Sequence, residues 1–393
     1  MDLDLECRHF SGDRPCGYHK RDGMTCDDCP HREERGERIL VVKLDAVGDV
    51  LRTTSILPAV RRESPRSWVV WLTSPAAKPV LDNNPLIEEI WTLGPEAIAR
   101  LGVERFDRIL NPDASRKSAA LASLARGGER RGYVLDEKGV VRPAGPEAEE
   151  WLEMGGRDDR KRANRRTYQE HVHRLLRLDP EGQRILLRLT DRERAAAAGR
   201  LERGGIGPSE RIVGFNTGSS ARWPLKRWPK ERFLDLARRF DDRGDIRVLL
   251  LGGELEAETN RWIAARSGGA AIDVGSDHSM RNFFALLERC EAVVTGDTLA
   301  LHASLALGRA TVALFGPTSP WEIDMYGLGV RVTADLDCLC CYRGACDRSP
   351  NCMESIDVET VRRALEGLLG SEAAEAPAEA AQEPEGETHG IHR

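Results

Sequence analysis

One acidic residue, Asp49, lies where enzymes of the α/β class often keep a general base. The segment from Ile39 to Thr53 starts as an apolar run, which predicts a buried strand, and passes through Gly48 into a helix that begins close to Asp49. Because open α/β sheets bind ligands beyond the carboxyl ends of their strands, this carboxylate is a candidate base. The alternative is that Asp49 only caps the helix.

A second group of candidate residues follows a strand in the other half of the chain. Between Gly214 and Pro229 an apolar strand runs into a loop of small residues that also carries Arg222 and Lys226. Small residues allow a phosphate to approach backbone N–H groups, and the cations neutralise its charge. The alternative is a solvated loop that Trp223 and Trp228 anchor to the core.

Two further strand-end loops resemble this one in composition. Gly296, Asp297 and Thr298 end one strand and precede a helix that contains His302, and a hydroxyl-bearing turn from Gly316 to Pro320 ends the next. Asp297 would repel a phosphate, so we expect it to accept hydrogen bonds from sugar hydroxyls. The alternatives are a helix N-cap for Asp297 and a core position for His302. Together the three loops indicate a nucleotide-diphosphate site.

The pattern of apolar runs predicts the elements that position these residues. Short runs alternate with longer amphipathic stretches, which is typical of parallel strands joined by crossover helices. We expect strands at Ile39–Val42, Trp68–Leu72, Arg108–Leu110, Ile212–Phe215, Val248–Leu251, Ala292–Thr295 and Thr311–Phe315. After the first strand, Val50, Thr54, Leu57 and Val60 recur at helical spacing and predict one helix that packs on the sheet.

Composition along the chain predicts six parts. They are a Cys/His-rich arm (1–36), a first α/β domain (37–175), a connection (176–207), a second α/β domain (208–335), a cysteine-containing segment with a helix (336–370) and a disordered acidic tail (371–393). Glycine and proline between Asp136 and Asn164 predict a loop. We expect the helix near Val358 to Leu369 to pack back on the first domain.

The bulk properties of the chain restrict its class. A net charge of −6, from 58 basic and 64 acidic residues, argues against a general nucleic-acid binder. The first residues do not resemble a signal peptide, and no apolar run reaches the ~18 residues of a membrane span. We therefore expect a cytoplasmic protein that acts on small molecules, with at most peripheral contact to the cytoplasmic membrane.

Ten cysteines are unusual for such a chain, and in a reducing compartment they are better interpreted as thiols or metal ligands than as disulfides. Cys7, Cys16, Cys26 and Cys29 lie in the N-terminal arm, among three histidines. Thiolates suit zinc and iron–sulfur clusters alike, so either is expected there as a structural group. A second cysteine group follows residue 337 and would approach the first if the C-terminal helix packed on the first domain.

From Ile39 to Leu369 the chain resembles glycosyltransferase family 9, the ADP-heptose:lipopolysaccharide heptosyltransferases. The resemblance rests on four segments in the expected order: Val-Lys-Leu-x-x-x-Gly-Asp-Val with Asp49, Lys-Arg-Trp-Pro with Lys226, Gly-Asp-Thr-x-x-x-His from Gly296 to His302, and Phe-Gly-Pro-Thr ending at Thr318. It implies an α/β protein of GT-B fold, with two Rossmann-like domains facing across a cleft.

The resemblance also implies an activity and a role for each residue. Family members transfer heptose with inversion and without a catalytic metal, here from ADP-heptose to lipopolysaccharide core or a related surface glycan. Asp49 becomes the base and Lys226 stabilises the departing ADP. Donor contacts are expected from Thr217, Gly218, Arg222, Gly296, Asp297, Thr298, His302 and Thr318, and acceptor contacts from Lys43, Arg52, Arg165 and Arg166.

Three points qualify this interpretation. A helix N-terminus should lower the pKa of Asp49 and weaken it as a base, so its effect would depend on position. Leu299 replaces a glycine common in the family, which leaves open another nucleotide sugar or a non-catalytic metal-bearing protein on the same scaffold. The basic stretch from Arg157 to Arg177 either contacts anionic lipopolysaccharide or the membrane surface, or is a solvated face.

Overall fold

The computed structural model describes residues 3–241 and 244–370. Its twelve strands are β1 (Arg38–Val42), β2 (Trp68–Thr73), β3 (Glu89–Thr92), β4 (Arg105–Asn111), β5 (Arg126–Leu135), β6 (Val141–Pro143), β7 (Arg211–Asn216), β8 (Ile246–Leu251), β9 (Ala271–Asp273), β10 (Ala292–Gly296), β11 (Ala310–Phe315) and β12 (Gly329–Thr333). All seven strands expected from the sequence are present, within three residues at each end. The acidic tail from 371 to 393 lies outside the described residues.

The strands form two six-stranded sheets of the same topology. The first has the order β3-β2-β1-β4-β5-β6 and is parallel except for β6, which pairs antiparallel with β5. The second has the order β12-β11-β10-β7-β8-β9 and is parallel throughout. In such sheets the strand order reverses between the first and fourth strands, and ligands bind there at the carboxyl ends. The first sheet therefore has a candidate ligand-binding edge beyond β1 and β4. The second sheet has one beyond β7 and β10.

Across residues 3–241 and 244–370, fifteen α-helices accompany the sheets. They are α1 (Gly17–Asp22), α2 (Val47–Thr53), α3 (Leu57–Glu63), α4 (Pro95–Val103), α5 (Arg116–Leu124), α6 (Pro146–Gly156), α7 (Asp158–Ala163), α8 (Tyr168–Leu175), α9 (Asp191–Arg203), α10 (Lys230–Asp241), α11 (Ala257–Arg266), α12 (Met280–Arg289), α13 (Leu299–Ala306), α14 (Cys352–Ser355) and α15 (Val358–Gly370). No helix in the described part of the chain has the length and apolarity needed to span a bilayer.

The two sheets share a hydrophobic core. Buried side chains of α2 lie in one cluster with those of α12 and α13, such as Val50 with Phe284 and Ala303. Helix α9 lies inside the segment expected to be only a connection, and it packs on α12 through Ala197 and Leu201. Because α2 also packs against α13, the carboxyl ends of the two sheets face one another.

Three expectations about the helices are wrong. The segment from Asp136 to Asn164 contains β6, α6 and α7, because Gly145-Pro146 starts α6 and Gly155-Gly156 ends it. The helix after β1 is divided, since a 3₁₀ turn at Thr54–Ile56 separates α2 from α3. Helix α15 packs on the second sheet, where Val361 and Leu365 are fully buried, and not on the first.

Candidate active site

A cavity of about 760 Å³ lies between the carboxyl ends of the two sheets. Asp49 and Arg52 line it from α2, after the first sheet's β1, and Lys226 and Asp297 line it from loops of the second sheet. Eight residues expected in the site line this cavity: Asp49, Arg52, Gly218, Lys226, Asp297, Thr298, His302 and Thr318. The structure thus brings together segments that are up to 269 positions apart, from Asp49 to Thr318.

Asp49 is the third residue of α2, and its carboxylate pairs with Arg52 of the same helix. The N-cap is Ala46, without a side-chain bond to the helix, so the capping alternative is wrong. Asp49 Oδ1 lies 2.9 Å from Arg52 Nη2, one turn further on. Burial would raise the pKa of Asp49, but the positive charges of Arg52 and Lys43 hold it below its usual value. The carboxylate is therefore ionised at neutral pH.

Both cations beside Asp49 are held in place by the first domain. The Arg52 guanidinium lies 3.7 Å from the ring centroid of Tyr168, whose hydroxyl shares a 2.7 Å hydrogen bond with Thr53. Lys43 is buried and donates from Nζ to the backbone oxygen of Asp45 at 2.6 Å. Lys43 does not line the cavity, so it affects Asp49 through its positive charge, which lowers the pKa of the carboxylate.

Lys226 and Asp297 form an ion pair on the opposite wall. Lys226 Nζ lies 2.5 Å from Asp297 Oδ2, and each side chain is only 14% exposed. The Thr318 hydroxyl donates to the same carboxylate oxygen at 2.7 Å. Burial raises the pKa of Asp297, but the Lys226 charge outweighs it and holds the pKa far below the usual range. The pair orients the lysine ammonium at the cavity wall.

Helix α13 begins at this pair, and its N-terminus is open to the cavity. The N-cap is Thr298, whose side chain accepts from the backbone N–H of Ala300, so Asp297 is not the cap. Asn216, at the end of β7, donates to the Thr298 hydroxyl at 3.3 Å and to Thr295 at 3.1 Å. Because Leu299 and Ala300 also line the cavity, an anion there would meet the positive end of the helix dipole.

His302 lies where the two domains touch. It is buried and lines the cavity, and a Cβ added to Gly48 would lie 3.0 Å from its Cδ2. Burial and the charge of Arg52 lower the pKa of His302 to about 4. The imidazole is therefore neutral at pH 7, and it packs against α2 as a contact between the domains.

Three expected donor residues do not line the cavity. Thr217 is buried and donates from Oγ1 to Asn260 at 2.6 Å, so it supports the loop from behind. Arg222 is exposed, and Gly296 lies behind Lys226, where a Cβ would be 2.6 Å from the Lys226 carbonyl oxygen. Thr217 and Gly296 therefore support the cavity wall from behind, whereas Arg222 lies outside the cavity.

Besides Lys43, two expected acceptor residues of the first domain, Arg165 and Arg166, lie outside the cavity. The Arg165 guanidinium lies 5.3 Å from the ring of Trp321, and Arg166 pairs with Glu150 at 2.5 Å. Lys161 lies 5.4 Å from the ring of Tyr342, which does line the cavity. The basic stretch therefore contacts the second domain beside the cavity. The Glu150 carboxylate neutralises part of its positive charge.

A family model described as glycosyltransferase family 9 (heptosyltransferase) matches residues 158–347. Lipopolysaccharide heptosyltransferase 2 of Salmonella typhimurium is 25% identical over 310 residues, which cover 72% of this chain and 84% of that protein. Residues 158–347 belong to glycosyltransferase family 9. The matched region of this family 9 enzyme contains Lys226, Asp297 and Thr318. It begins at residue 158 and therefore does not include Asp49.

Solved structures show the fold of the family 9 chain to be GT-B. E. coli ADP-heptose lps heptosyltransferase II has a TM-score of 0.61 at 20% identity, with 84% of this chain and 98% of that chain covered. E. coli heptosyltransferase WaaC with ADP has a TM-score of 0.54 at 19% identity, with 84% and 97% covered. The two six-stranded sheets around the cavity are therefore the two halves of a GT-B fold.

The structure adds cavity residues of this glycosyltransferase that sequence reasoning missed. Gly252 and Gly253 follow β8, and Glu256 accepts a hydrogen bond from the Gly253 N–H at 2.9 Å. Glu322 accepts one from the Tyr342 hydroxyl at 2.7 Å, and burial raises the pKa of both glutamates. The pair Gly252-Gly253 at the end of a strand could have indicated a ligand-binding loop. Nothing local in the sequence indicates that Glu322 or Tyr342 lines the cavity.

Gly296→Ala should displace Lys226 at the cavity wall while leaving the fold intact. The new methyl group would meet the Lys226 carbonyl at 2.6 Å, so the Lys226 turn must shift away from Asp297. We expect weaker nucleotide binding, by about tenfold or more, since the positioning of Lys226 depends on this contact. Calorimetry with ADP measures it, and Gly308→Ala, whose Cβ meets nothing within 4 Å, tests backbone strain alone. Equal affinity in wild type and Gly296→Ala would contradict this placement.

Proposed function

We propose that the protein transfers heptose from ADP-heptose to lipopolysaccharide inner core or a related surface glycan, with inversion and without a catalytic metal. One observation carries the proposal: Asp49 of the first domain and the Lys226–Asp297 pair of the second line the same cavity. The printed names of similar proteins, lipopolysaccharide heptosyltransferase 2 and heptosyltransferase WaaC with ADP, support the substrate class.

In the proposed reaction Asp49 takes the proton of an acceptor hydroxyl. That oxygen attacks the anomeric carbon of the donor as the bond to the diphosphate breaks, so ADP leaves with its electron pair. Asp49 is a weak base, because Arg52 and Lys43 lower its pKa. Its contribution therefore comes from holding the acceptor oxygen in line with the donor, which positioned groups do effectively.

The second domain would stabilise the diphosphate as it departs. Lysine has three N–H donors, and Asp297 engages Lys226 through its carboxylate and, at 3.3 Å, through its backbone oxygen. A remaining donor is available to phosphate oxygens, together with the first N–H groups of α13. Preorganised donors of this kind act where charge grows in the transition state. Asp297 would accept hydrogen bonds from the sugar through its other oxygen.

The first domain would hold the acceptor. Arg52 lies next to Asp49 in the cavity, and Lys161 and Arg165 lie at the adjoining edge. Anionic groups of a lipopolysaccharide core suit these cations. Arg166 and Arg174 both pair with Glu150, so they have less charge to offer. An enzyme with this acceptor would work in the cytoplasm, at the inner face of the cytoplasmic membrane.

Arg52→Gln is expected to shift the acidic limb of the pH profile of kcat toward higher pH. Arg52 lowers the pKa of Asp49, so its removal raises that pKa, and the carboxylate is then protonated at a higher pH on acidification. The rates of wild type and variant between pH 4 and 8 measure the shift. Arg66→Gln removes an exposed cation of the same domain and should leave the limb unchanged. An unshifted limb in Arg52→Gln would exclude Asp49 as the titrating base.

Nucleotide titration tests the donor assignment. Calorimetry with ADP, UDP and GDP should show clear preference for ADP, and ADP-heptose with a lipopolysaccharide core acceptor should give a product of inverted anomeric configuration by NMR. Addition of EDTA should leave the rate unchanged. Preference for UDP or GDP would instead assign another nucleotide sugar, as Leu299 at the cavity wall permits. Failure to bind all three would indicate a non-catalytic protein.

A further inference from the structure

The N-terminal arm encloses a second cavity, remote in sequence from the active site. Its volume is about 540 Å³, and all four cysteines of the arm, Cys7, Cys16, Cys26 and Cys29, line it. All four are free thiols. The segments that carry them, of which one leads into α1 with Cys16 as the N-cap, converge on one space. The sequence left zinc and an iron–sulfur cluster as alternatives for this group, and the size of the cavity that the four thiols share favours the cluster.

A single zinc ion requires its ligand atoms to lie close together. In a tetrahedral zinc site with Zn–S distances of ~2.3 Å the sulfur atoms lie roughly 3.8 Å apart. Within residues 3–241 and 244–370, however, no three Cys, His, Asp or Glu side chains are close enough together to hold one metal ion. A cubane cluster places an iron atom in front of each thiolate, so its four ligands stand farther apart around a larger volume.

The arm also lacks the apolar core that would keep its loops in this arrangement. In the described part of the arm, Cys7 and Phe10 are its buried hydrophobic residues, and α1 buries none. A unit this small usually requires disulfides or a metal group to fold. Since its cysteines form no disulfide, a metal group bound by them is the remaining source of stability.

We propose that Cys7, Cys16, Cys26 and Cys29 bind a [4Fe–4S] cluster, with one thiolate on each iron. Assembly from two ferrous ions, two ferric ions and four sulfides replaces the four thiol protons by four iron–sulfur bonds, and the protons go to solvent. The backbone supports the ligands: the His19 N–H donates to Cys16 Sγ at 3.5 Å, as amides do in cluster sites. Arg35 donates to the backbone oxygens of Cys7 and Phe10, which fixes the first ligand loop.

The cluster would lie on the side of the first sheet opposite the active site. Arg8 pairs with Glu88 at 3.1 Å, and its guanidinium lies 5.5 Å from the ring of Trp68, the first residue of β2. The arm thus docks at the amino ends of the strands, whereas the sugar-transfer cavity lies at their carboxyl ends. The cluster is therefore a structural group that folds the arm onto the first domain, outside the transfer chemistry.

Metal and sulfide analysis of the full chain tests the proposal. The protein, purified without oxygen or reconstituted with ferrous iron, ferric iron and sulfide, should contain about four iron and four acid-labile sulfide atoms per chain and show the broad visible absorption of such clusters. Reduction with dithionite should bleach the absorption and produce an electron paramagnetic resonance signal. One zinc per chain, one iron without sulfide, or no metal would overturn the proposal.

Two variants locate the cluster. Cys26→Ser with Cys29→Ser should lose the iron and sulfide, whereas Cys338→Ser with Cys346→Ser, two exposed thiols of the second group, should retain both in full. Retention in the first variant, or loss in the second, would place the cluster elsewhere and overturn the assignment. If the first variant fails to fold, the stoichiometry of the wild type and of the second variant still decides between the outcomes.

Discussion

Asp49→Asn should lower kcat by about 10²–10⁴-fold, the range typical for loss of a positioned general base. Asparagine keeps the size of the side chain and removes its capacity to take a proton. The carboxylate caps no helix, so the fold should persist, as should the affinity for ADP, which the second domain would provide. Transfer rates with saturating substrates, circular dichroism and ADP calorimetry measure these three quantities.

Asp45→Asn is the matched control for this experiment. Asp45 precedes α2 in the same loop, its side chain is 60% exposed, and it does not line the cavity. Its substitution removes the same charge from the same region and should change the rate less than threefold. Substantial turnover in Asp49→Asn, or an equal loss in both variants, would show that Asp49 is not the base.

Lys226→Met should impair both the stability and the activity of the enzyme. It leaves Asp297 buried at 14% exposure without its cation, and breaking a buried pair in this way costs about 3–5 kcal/mol of unfolding free energy. It also removes the proposed donor to the leaving diphosphate, which should lower kcat by about 10²–10³-fold. Denaturant unfolding and steady-state kinetics measure the two effects separately.

Two further variants separate the structural role of Lys226 from its role in transfer. Asp297→Asn in the Lys226→Met background removes the unpaired carboxylate, so most of the stability should return while the activity stays low. Lys230→Met, which alters a lysine of α10 that packs over Trp262, should keep both. Recovery of activity in the double variant would mean that Lys226 serves only to neutralise Asp297.

The strands of the fold were predictable because parallel strands covered on both faces form continuous apolar runs. Ile39, Leu40, Val41 and Val42 are all fully buried, so the run was visible in the sequence. Edge strands such as β3 and β12, with burial patterns that include exposed residues, carry no such signal and were missed. Glycine and proline at the ends of α6 were mistaken for a loop because they mark helix ends and turns alike.

The residues of the site were predictable where each one lies in a short segment with a recognisable local pattern. Asp49, Lys226, Asp297 and Thr318 each follow a strand, and strand ends meet at one edge of a sheet. Their partners were not predictable: Asp297 pairs with Lys226 and Thr318, rather than capping α13, since that choice depends on where three loops meet. Glu322 and Tyr342 reach the cavity from segments without local signals.

The sequence by itself determined which residues are available for chemistry: an acid after the first strand, cations and hydroxyls after the later ones, and four cysteines in an arm with few apolar residues. Only the tertiary structure decided what each one faces. The packing of α2 against α13 sets Asp49 opposite Lys226, and the folding of the arm spaces its thiols around a cavity. Local patterns follow from the periodicity of strands and helices, whereas distances between remote side chains depend on how the whole core packs.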